Sequence, residues 1–219
     1  MDPRFAPFSD NVTLLGGGAL QPGTVCKLLT LAPSLVACDG ATTRALALGV
    51  VPDRVIGDLD SLDAATRAAL DPETVFEIVE QDSTDFDKAL RTTEAPLILG
   101  AGFMGRRLDH ELACYNALVR HPQKRCILVG EYDICFHAPG PIGLALGEGT
   151  RVSLFPMAEV TVSATGLEWP LDRMKLAPWG QVGTSNRAVA ERVEISPAAA
   201  GLLVILPRAA LGAAMAGLE

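Results

Sequence analysis

Three short segments concentrate aspartate beside a few basic residues. Residues 55–61 read Val-Ile-Gly-Asp58-Leu-Asp60-Ser61, residues 82–88 read Asp82-Ser-Thr-Asp85-Phe-Asp87-Lys88, and residues 105–110 read Gly105-Arg106-Arg107-Leu-Asp109-His110. Each falls where a strand would hand over to a loop or helix. Open α/β sheets collect their ligands beyond such strand ends. Carboxylates gathered in one crevice repel each other unless a cation sits among them. The pattern therefore points to a divalent metal site that handles phosphate.

Each segment also has an ordinary structural reading. Asp39-Gly40 closes the second strand and opens a helix, where Asp can be an N-cap. Asp58 and Asp60 lie two apart, which in extended chain puts both carboxylates on one side as hard-cation ligands. The alternative is an Asx-rich turn with Asp60 or Ser61 capping the next helix. Asp82, Asp85 and Lys88 are spaced i, i+3, i+6, with Asp85 and Lys88 on one helix face. Asp82 or Ser83 capping that helix, with a surface ion pair, would explain the same residues. Arg107 suits bidentate phosphate contact, while Asp109 could be a cap and His110 a surface residue. Gly16-Gly17-Gly18 after the first strand allows either close approach of a phosphate or a tight turn. Thr184-Ser185-Asn186 reads as a hairpin turn, and Trp169 as core or as a stacking platform.

The elements that would carry these residues alternate up to residue 130. Strands are expected at Val12–Leu15, Leu35–Cys38, Arg54–Ile56, Val75–Val79, Pro96–Leu99 and Cys126–Val129, most of them continuous apolar runs. Helices are expected around 23–31, 41–48, 63–70, 84–92 and 109–120. This is the signature of a parallel sheet with crossover helices. After residue 131 the pattern becomes strands only: Tyr132–His137, Gly147–Phe155, Val160–Ala164, Val189–Ile195 and Gly201–Leu206, with no helix and a small-residue tail. The fold class is thus α/β, a doubly wound, mostly parallel Rossmann-like sheet followed by a smaller antiparallel β-sandwich. The domains are placed at 1–135 and 136–219, with the boundary near the Ala-Pro-Gly-Pro of residues 138–141.

The net charge of −8 over 219 residues argues against nucleic acid or an anionic membrane as partner. An anionic substrate would then need local cations. Five cysteines without a C-x-x-C pair fit reduced core thiols in a cytoplasmic protein, and with three histidines a His/Cys zinc site is not expected. No signal peptide is expected at the N-terminus. The apolar stretch 198–218 is broken by Pro207-Arg208 and does not read as a membrane span.

Taken together and in order, the motifs resemble the thiamin pyrophosphokinase family over most of the chain. Asp39-Gly40, Gly57–Ser61, Asp82–Ala89 (preceded by Gln81) and Gly105–His110 match its catalytic segments. Ser153–Pro156, Gly166–Trp169 and Thr184–Asn186 match its C-terminal ones. Arg106 departs from the pattern, standing where the family usually has a second glycine. The resemblance implies pyrophosphate transfer from ATP to the thiamin hydroxyl, with Mg²⁺, in a homodimer whose thiamin cleft is built between subunits. It implies Asp58, Asp60 and Asp85 as Mg²⁺ ligands, with Asp39 and Asp82 at the same crevice. Lys88 and Arg107 would neutralise phosphate. Asp109 would orient Arg107 or accept a proton. Gly40, Gln81 and His110 would line the substrate pocket, and Trp169, Ser185 and Asn186 would hold thiamin. Two rivals are a pyrophosphokinase for another alcohol, such as a hydroxymethylpterin, and a non-catalytic nucleotide- or thiamin-binding sensor.

Overall fold

Apolar runs flanked by glycine and aspartate become the strands of the first compact unit, which ends at Ala117. The structure is a computed structural model that describes residues 5–20 and 22–218. Strands β1 (Val12–Leu15), β2 (Ser34–Cys38), β3 (Arg54–Gly57), β4 (Val75–Glu77) and β5 (Ile98–Ala101) form a parallel sheet in the order β5-β1-β2-β3-β4. β1, β5 and all but the first residue of β2 and β3 are buried, as expected when helices cover both faces. Helices α1 (Pro22–Leu31), α2 (Asp39–Ala47), α3 (Ala64–Ala68), α4 (Asp85–Thr92) and α5 (Leu108–Arg120) alternate with them. The chain winds one way from β1 to β4 and then returns to place β5 on the other side of β1. That reversal is the switch point at which such sheets open a ligand crevice beyond their C-terminal ends.

The second unit runs from Leu118, inside α5, to the C-terminus. Its strands are β6 (Cys126–Val129), β7 (Asp133–Ala138), β8 (Ile142–Ala145), β9 (Arg151–Pro156), β10 (Val160–Thr165), β11 (Leu171–Leu176), β12 (Gly183–Arg187), β13 (Arg192–Pro197) and β14 (Leu202–Pro207). One set pairs antiparallel as β12-β9-β14-β7-β6 and the other as β11-β10-β13-β8. Alternation of buried and exposed positions, clearest in β13, marks sheets with one apolar face. The expected boundary at 135/136 differs from this division because β6 ladders with β7, and β7 with β14.

The small-residue tail is a helix, α6 (Leu211–Leu218), contrary to expectation. Leucine, alanine and methionine favour helix, and the helix packs on β8 with Leu211 and Ala214 buried. Gly217 is needed there: a Cβ would lie 2.9 Å from Leu144 and 3.0 Å from the Gly143 carbonyl. Among the described residues no helix is long and apolar enough to cross a membrane.

Candidate active site

The C-terminal ends of β1, β2, β3 and β5 surround a cavity of about 490 Å³ within the first unit. It falls in the range of small-ligand sites. Asp39 is the first residue of α2 rather than its cap. Cys38 occupies the cap position and makes no side-chain cap bond. The Asp39 carboxylate instead crosses to the next strand end, where Oδ2 accepts from the Ser61 backbone N–H at 2.9 Å. Its other oxygen, Oδ1, is buried without a hydrogen-bond partner among the described residues. Burial, reinforced by Asp58 and Asp60, raises the Asp39 pKa against the lowering effect of Ser61. Only glycine fits at position 57, since a Cβ there would lie 2.7 Å from Asp39 Cβ.

Asp58 and Asp60 do not share a side as an extended chain would place them. Leu59 between them takes a left-handed φ of 64° and buries its side chain with Val55 and Leu70. Asp58 consequently lines the cavity half-buried, whereas Asp60 is exposed and outside the lining. The Asp60 N–H reaches Asp58 Oδ1 at 3.4 Å. Helix α3 is capped by Asp63, whose carboxylate accepts from the Thr66 N–H, so neither Asp60 nor Ser61 is used as a cap.

On α4 the cap is Thr84, which accepts from the Asp87 N–H, not Asp82 or Ser83. That leaves Asp85 and Lys88 on the face toward β3. Lys88 is 1% exposed, and its Nζ stands 3.7 Å from Asp85 Oδ1 and 4.0 Å from Asp58 Oδ2. Burial raises the Asp85 pKa, Lys88 opposes that, and Asp58 and Asp39 add to it. One buried ammonium thus sits between two carboxylates, Asp58 and Asp85. Gln81, Ser83 and Thr84 complete this wall, while the exposed Asp82 is outside the lining.

The opposite wall is Gly102, Phe103, Gly105, Arg106, Arg107 and His110, with Gly17, Gly18 and Gly40 at the floor. Gly18 N donates to the Gly102 carbonyl at 2.9 Å, and a Cβ on Gly18 would lie 2.4 Å from that oxygen. The glycine run therefore seats one loop on another. Arg44, on α2, donates to the Gly18 carbonyl. Arg106 adopts φ 69°, the left-handed conformation that glycine takes without strain. Arg107 is bidentate to Asp109, Nε to Oδ1 at 3.2 Å and Nη2 to Oδ2 at 2.6 Å. The contact raises the Arg107 pKa and lowers that of Asp109. A lowered carboxyl is a poor proton acceptor, so Asp109 is suited to orienting Arg107. Cys38 and Cys114 also line the cavity. Burial is the main cause that pushes Cys38 well above the usual thiol range and Cys114 up to about 12.

In the second unit Trp169, Ser185 and Asn186 come together. Asn186 is buried and its amide clamps Trp169: Nδ2 donates to the Trp169 carbonyl at 2.7 Å, and Oδ1 accepts from the Trp169 N–H at 3.2 Å. Oδ1 also accepts from the Arg187 N–H at 2.9 Å. Ser185, at φ 61°, forms the bulge in β12 and donates its N–H to Ser153 Oγ at 3.0 Å. The segment is thus a bulged strand, not a hairpin turn. Trp169 is left 58% exposed and Trp179 78% exposed.

Two family models match this chain in sequence order. "Thiamin pyrophosphokinase, catalytic domain" matches residues 25–129, and "Thiamin pyrophosphokinase, vitamin B1 binding domain" matches residues 142–200. The chain belongs to the thiamin pyrophosphokinase family. The similar relatives include thiamine pyrophosphokinase 1 of rice, 31% identical over 164 residues, which are 66% of this chain and 62% of that one. The Bacillus subtilis thiamine pyrophosphokinase is 26% identical over 183 residues, 78% of this chain and 85% of that one. The chain thus spans less than two thirds of the rice relative's length. Among solved structures, the Candida albicans thiamin pyrophosphokinase superposes with a TM-score of 0.77 at 16% identity, covering 91% of this chain and 89% of that one. The Geobacillus thermodenitrificans one gives 0.73 at 24%, covering 90% and 96%. At these identities the superpositions show the shared fold.

Placed on this family member, the motif residues fall into two groups. Gly40, Asp58, Gln81, Asp85, Lys88, Arg107 and His110 line the cavity, Asp39 is buried and bonded to Ser61 of that lining, and Trp169, Ser185 and Asn186 meet in the second unit. Among the described residues no three His, Cys, Asp or Glu side chains converge closely enough to hold a metal by themselves. The orphaned Asp39 Oδ1 and the hard oxygens of Asp58 and Asp85 nonetheless suit Mg²⁺, which binds through one or two carboxylates and fills its shell with water and phosphate. Sequence reasoning did not single out Glu80 and Arg91, which brace the Gln81–Thr84 loop. Their spacing of eleven residues matches no local motif.

Proposed function

We propose that this protein is a thiamin diphosphokinase, converting ATP and thiamin to thiamin diphosphate and AMP. The observation that carries the reading is the buried Lys88 paired with Asp58 and Asp85 in a cavity at the sheet's switch point. The thiamin hydroxyl oxygen bonds to the β-phosphorus, the bond from that phosphorus to the α,β-bridging oxygen breaks, and AMP leaves, the hydroxyl proton passing to water. Such transfers depend on positioning and charge neutralisation. Lys88 and Arg107 draw in phosphate oxygens, and Asp109 holds the Arg107 fork in plane. Asp58 and Asp85, with Asp60 at the rim, would hold Mg²⁺, which supplies further neutralisation of phosphate charge. Trp169 offers its exposed face to the cationic thiazolium, in a position set by Asn186.

The proposal includes a homodimer, because Trp169 and Trp179 are exposed and a cleft needs a second wall, and a cytoplasmic location suited to free thiols. Light scattering should report about twice the 23.0 kDa chain mass. The deciding assay is AMP release from Mg·ATP with and without thiamin. Release that depends on thiamin, and falls at least about a hundredfold in Asp58→Asn, supports the reading. Release with a hydroxymethylpterin instead, or none with either alcohol, refutes it.

A further inference from the structure

The loop between β4 and α4 lines the cavity through Gln81, Ser83 and Thr84, and the first turn of α4 adds Asp85 and Lys88. No helix or strand holds residues 78–84, so side chains must. Glu80 Oε2 accepts from the Asp82 N–H at 3.0 Å, and Oε1 accepts from the Ser83 hydroxyl at 2.5 Å. Arg91, in the last turn of α4, donates Nη2 to Glu80 Oε1 at 2.8 Å and Nη1 to Ser83 Oγ at 3.3 Å. The same Nη1 lies 3.5 Å from Asp87 Oδ2, a carboxylate that is buried one turn earlier. The Ser83 hydroxyl therefore donates to one member of the pair and accepts from the other, which fixes its rotation. One arginine ties the start of the loop, its middle and the helix together.

We infer that Glu80 and Arg91 are positioning residues that hold the Gln81–Thr84 loop in register with Asp85 and Lys88, so that loop and helix meet the polyphosphate as one preformed surface. Neither side chain lines the cavity, so both act through the residues they hold. Half-exposed ion pairs contribute little to global stability. A positioning role should therefore appear in turnover and not in melting, which separates it from a merely structural one. The activity arm of the test rests on the function proposed above.

The test uses the full chain with Arg91→Met, Arg91→Lys, Glu80→Gln and the Glu80→Gln/Arg91→Met double variant. Steady-state AMP release, melting temperature and hydrogen exchange of a peptide spanning 81–84 are read in parallel. Arg91→Met and Glu80→Gln should each lower kcat about tenfold or more, the scale of a sub-ångström misplacement. The thiamin KM should stay within about twofold, Tm within about 3 °C, and exchange across the loop should quicken. The double variant should be no worse than the poorer single, since both remove one shared tie, and Arg91→Lys should recover part of the loss. The inference is overturned by near-parental kcat with unchanged exchange, by losses that track the fall in Tm, or by losses that multiply in the double variant. If the parent chain makes no thiamin diphosphate, the proposed function falls instead. The brace is then judged on exchange and on the calorimetric Kd for Mg·ATP, which Arg91→Met should weaken about fivefold or more; equal Kd and exchange would reject it.

Discussion

Replacing Lys88 by methionine should separate stability from activity, because the ammonium is paired and buried at once. Its Nζ lies 3.7 and 4.0 Å from two carboxylates whose side chains are 40% and 25% exposed. At about 4 Å a unit pair is worth ~1 kcal/mol in water and ~4 kcal/mol at an effective dielectric near 20. Partial exposure of the partners places these pairs toward the lower figure. Burying the ammonium costs several kcal/mol, which roughly offsets the two attractions. Methionine fills nearly the same volume without that cost, and Asp58 and Asp85, left without their cation, are exposed enough to be solvated, so the net change should stay below about 2 kcal/mol. For a chain of this size that is a Tm shift under about 8 °C. In the proposed reaction catalysis has no such offset, since the phosphate charge would gain no substitute for the lost cation. Turnover should fall about a hundred- to a thousandfold, the scale of removing one charge-stabilising donor. Differential scanning fluorimetry and AMP release on the same sample decide the matter. Turnover within tenfold of the parent, or a collapse of Tm with proportionate loss of activity, would refute the reasoning.

Other substitutions follow from single contacts. Gly57→Ala should drive its new Cβ against Asp39, displace the carboxylate from Ser61 and cost about 1–3 kcal/mol, seen as a lower denaturation midpoint together with lost activity; a silent substitution would mean the strand end yields freely. Asn186→Ala removes two hydrogen bonds to Trp169 and one to Arg187 and should cost about 2–3 kcal/mol while raising the thiamin KM. Trp169→Ala should raise that KM about tenfold with the ATP KM unmoved, and Trp179→Ala should do less; the reverse order would reassign the stacking platform. His137 is buried, its Nε2 accepts from the Gly201 N–H at 3.0 Å, and burial lowers its pKa to about 4. Its contribution is complete above the unfolded value of about 6.5 and is lost as pH falls toward 4, because only the unfolded chain binds the proton there. Urea midpoints at pH 7 and pH 5 should therefore differ more in the parent than in His137→Gln, and equal differences would exclude His137 as the cause.

Strands β1 and β6 match their sequence expectation residue for residue, because a run buried on both faces leaves no ambiguity of period. β8, β11 and β12 escaped notice for the opposite reason. They are short or polar on one face, and β12 carries a bulge at Ser185 that reads locally as a turn. Helix α6 was hidden by its composition, since alanine and glycine say little until Leu211 and Ala214 find a surface. At the cavity, the aspartate spacing pointed to the strand-end crevice but not to its geometry. Nothing around residue 59 indicates that a leucine will turn left-handed and send Asp60 outward. The reach of Asp39 to Ser61, the tie from Arg44 to Gly18 and the Glu80–Arg91 brace all join positions far apart in sequence, and such pairs become visible only once the backbone is folded.

The two thiols on the cavity wall carry a consequence for chemical probes. Maleimides, acrylamides and peroxide all react with thiolate, and a raised pKa keeps Cys38 and Cys114 protonated at neutral pH. A covalent warhead delivered into the pocket would find two sulfurs within reach and neither reactive. Cys26, on α1, is the exposed cysteine of the five. It offers a single attachment point for a dye or spin label outside the cavity lining, so ligand-induced changes could be followed with every lining residue unmodified.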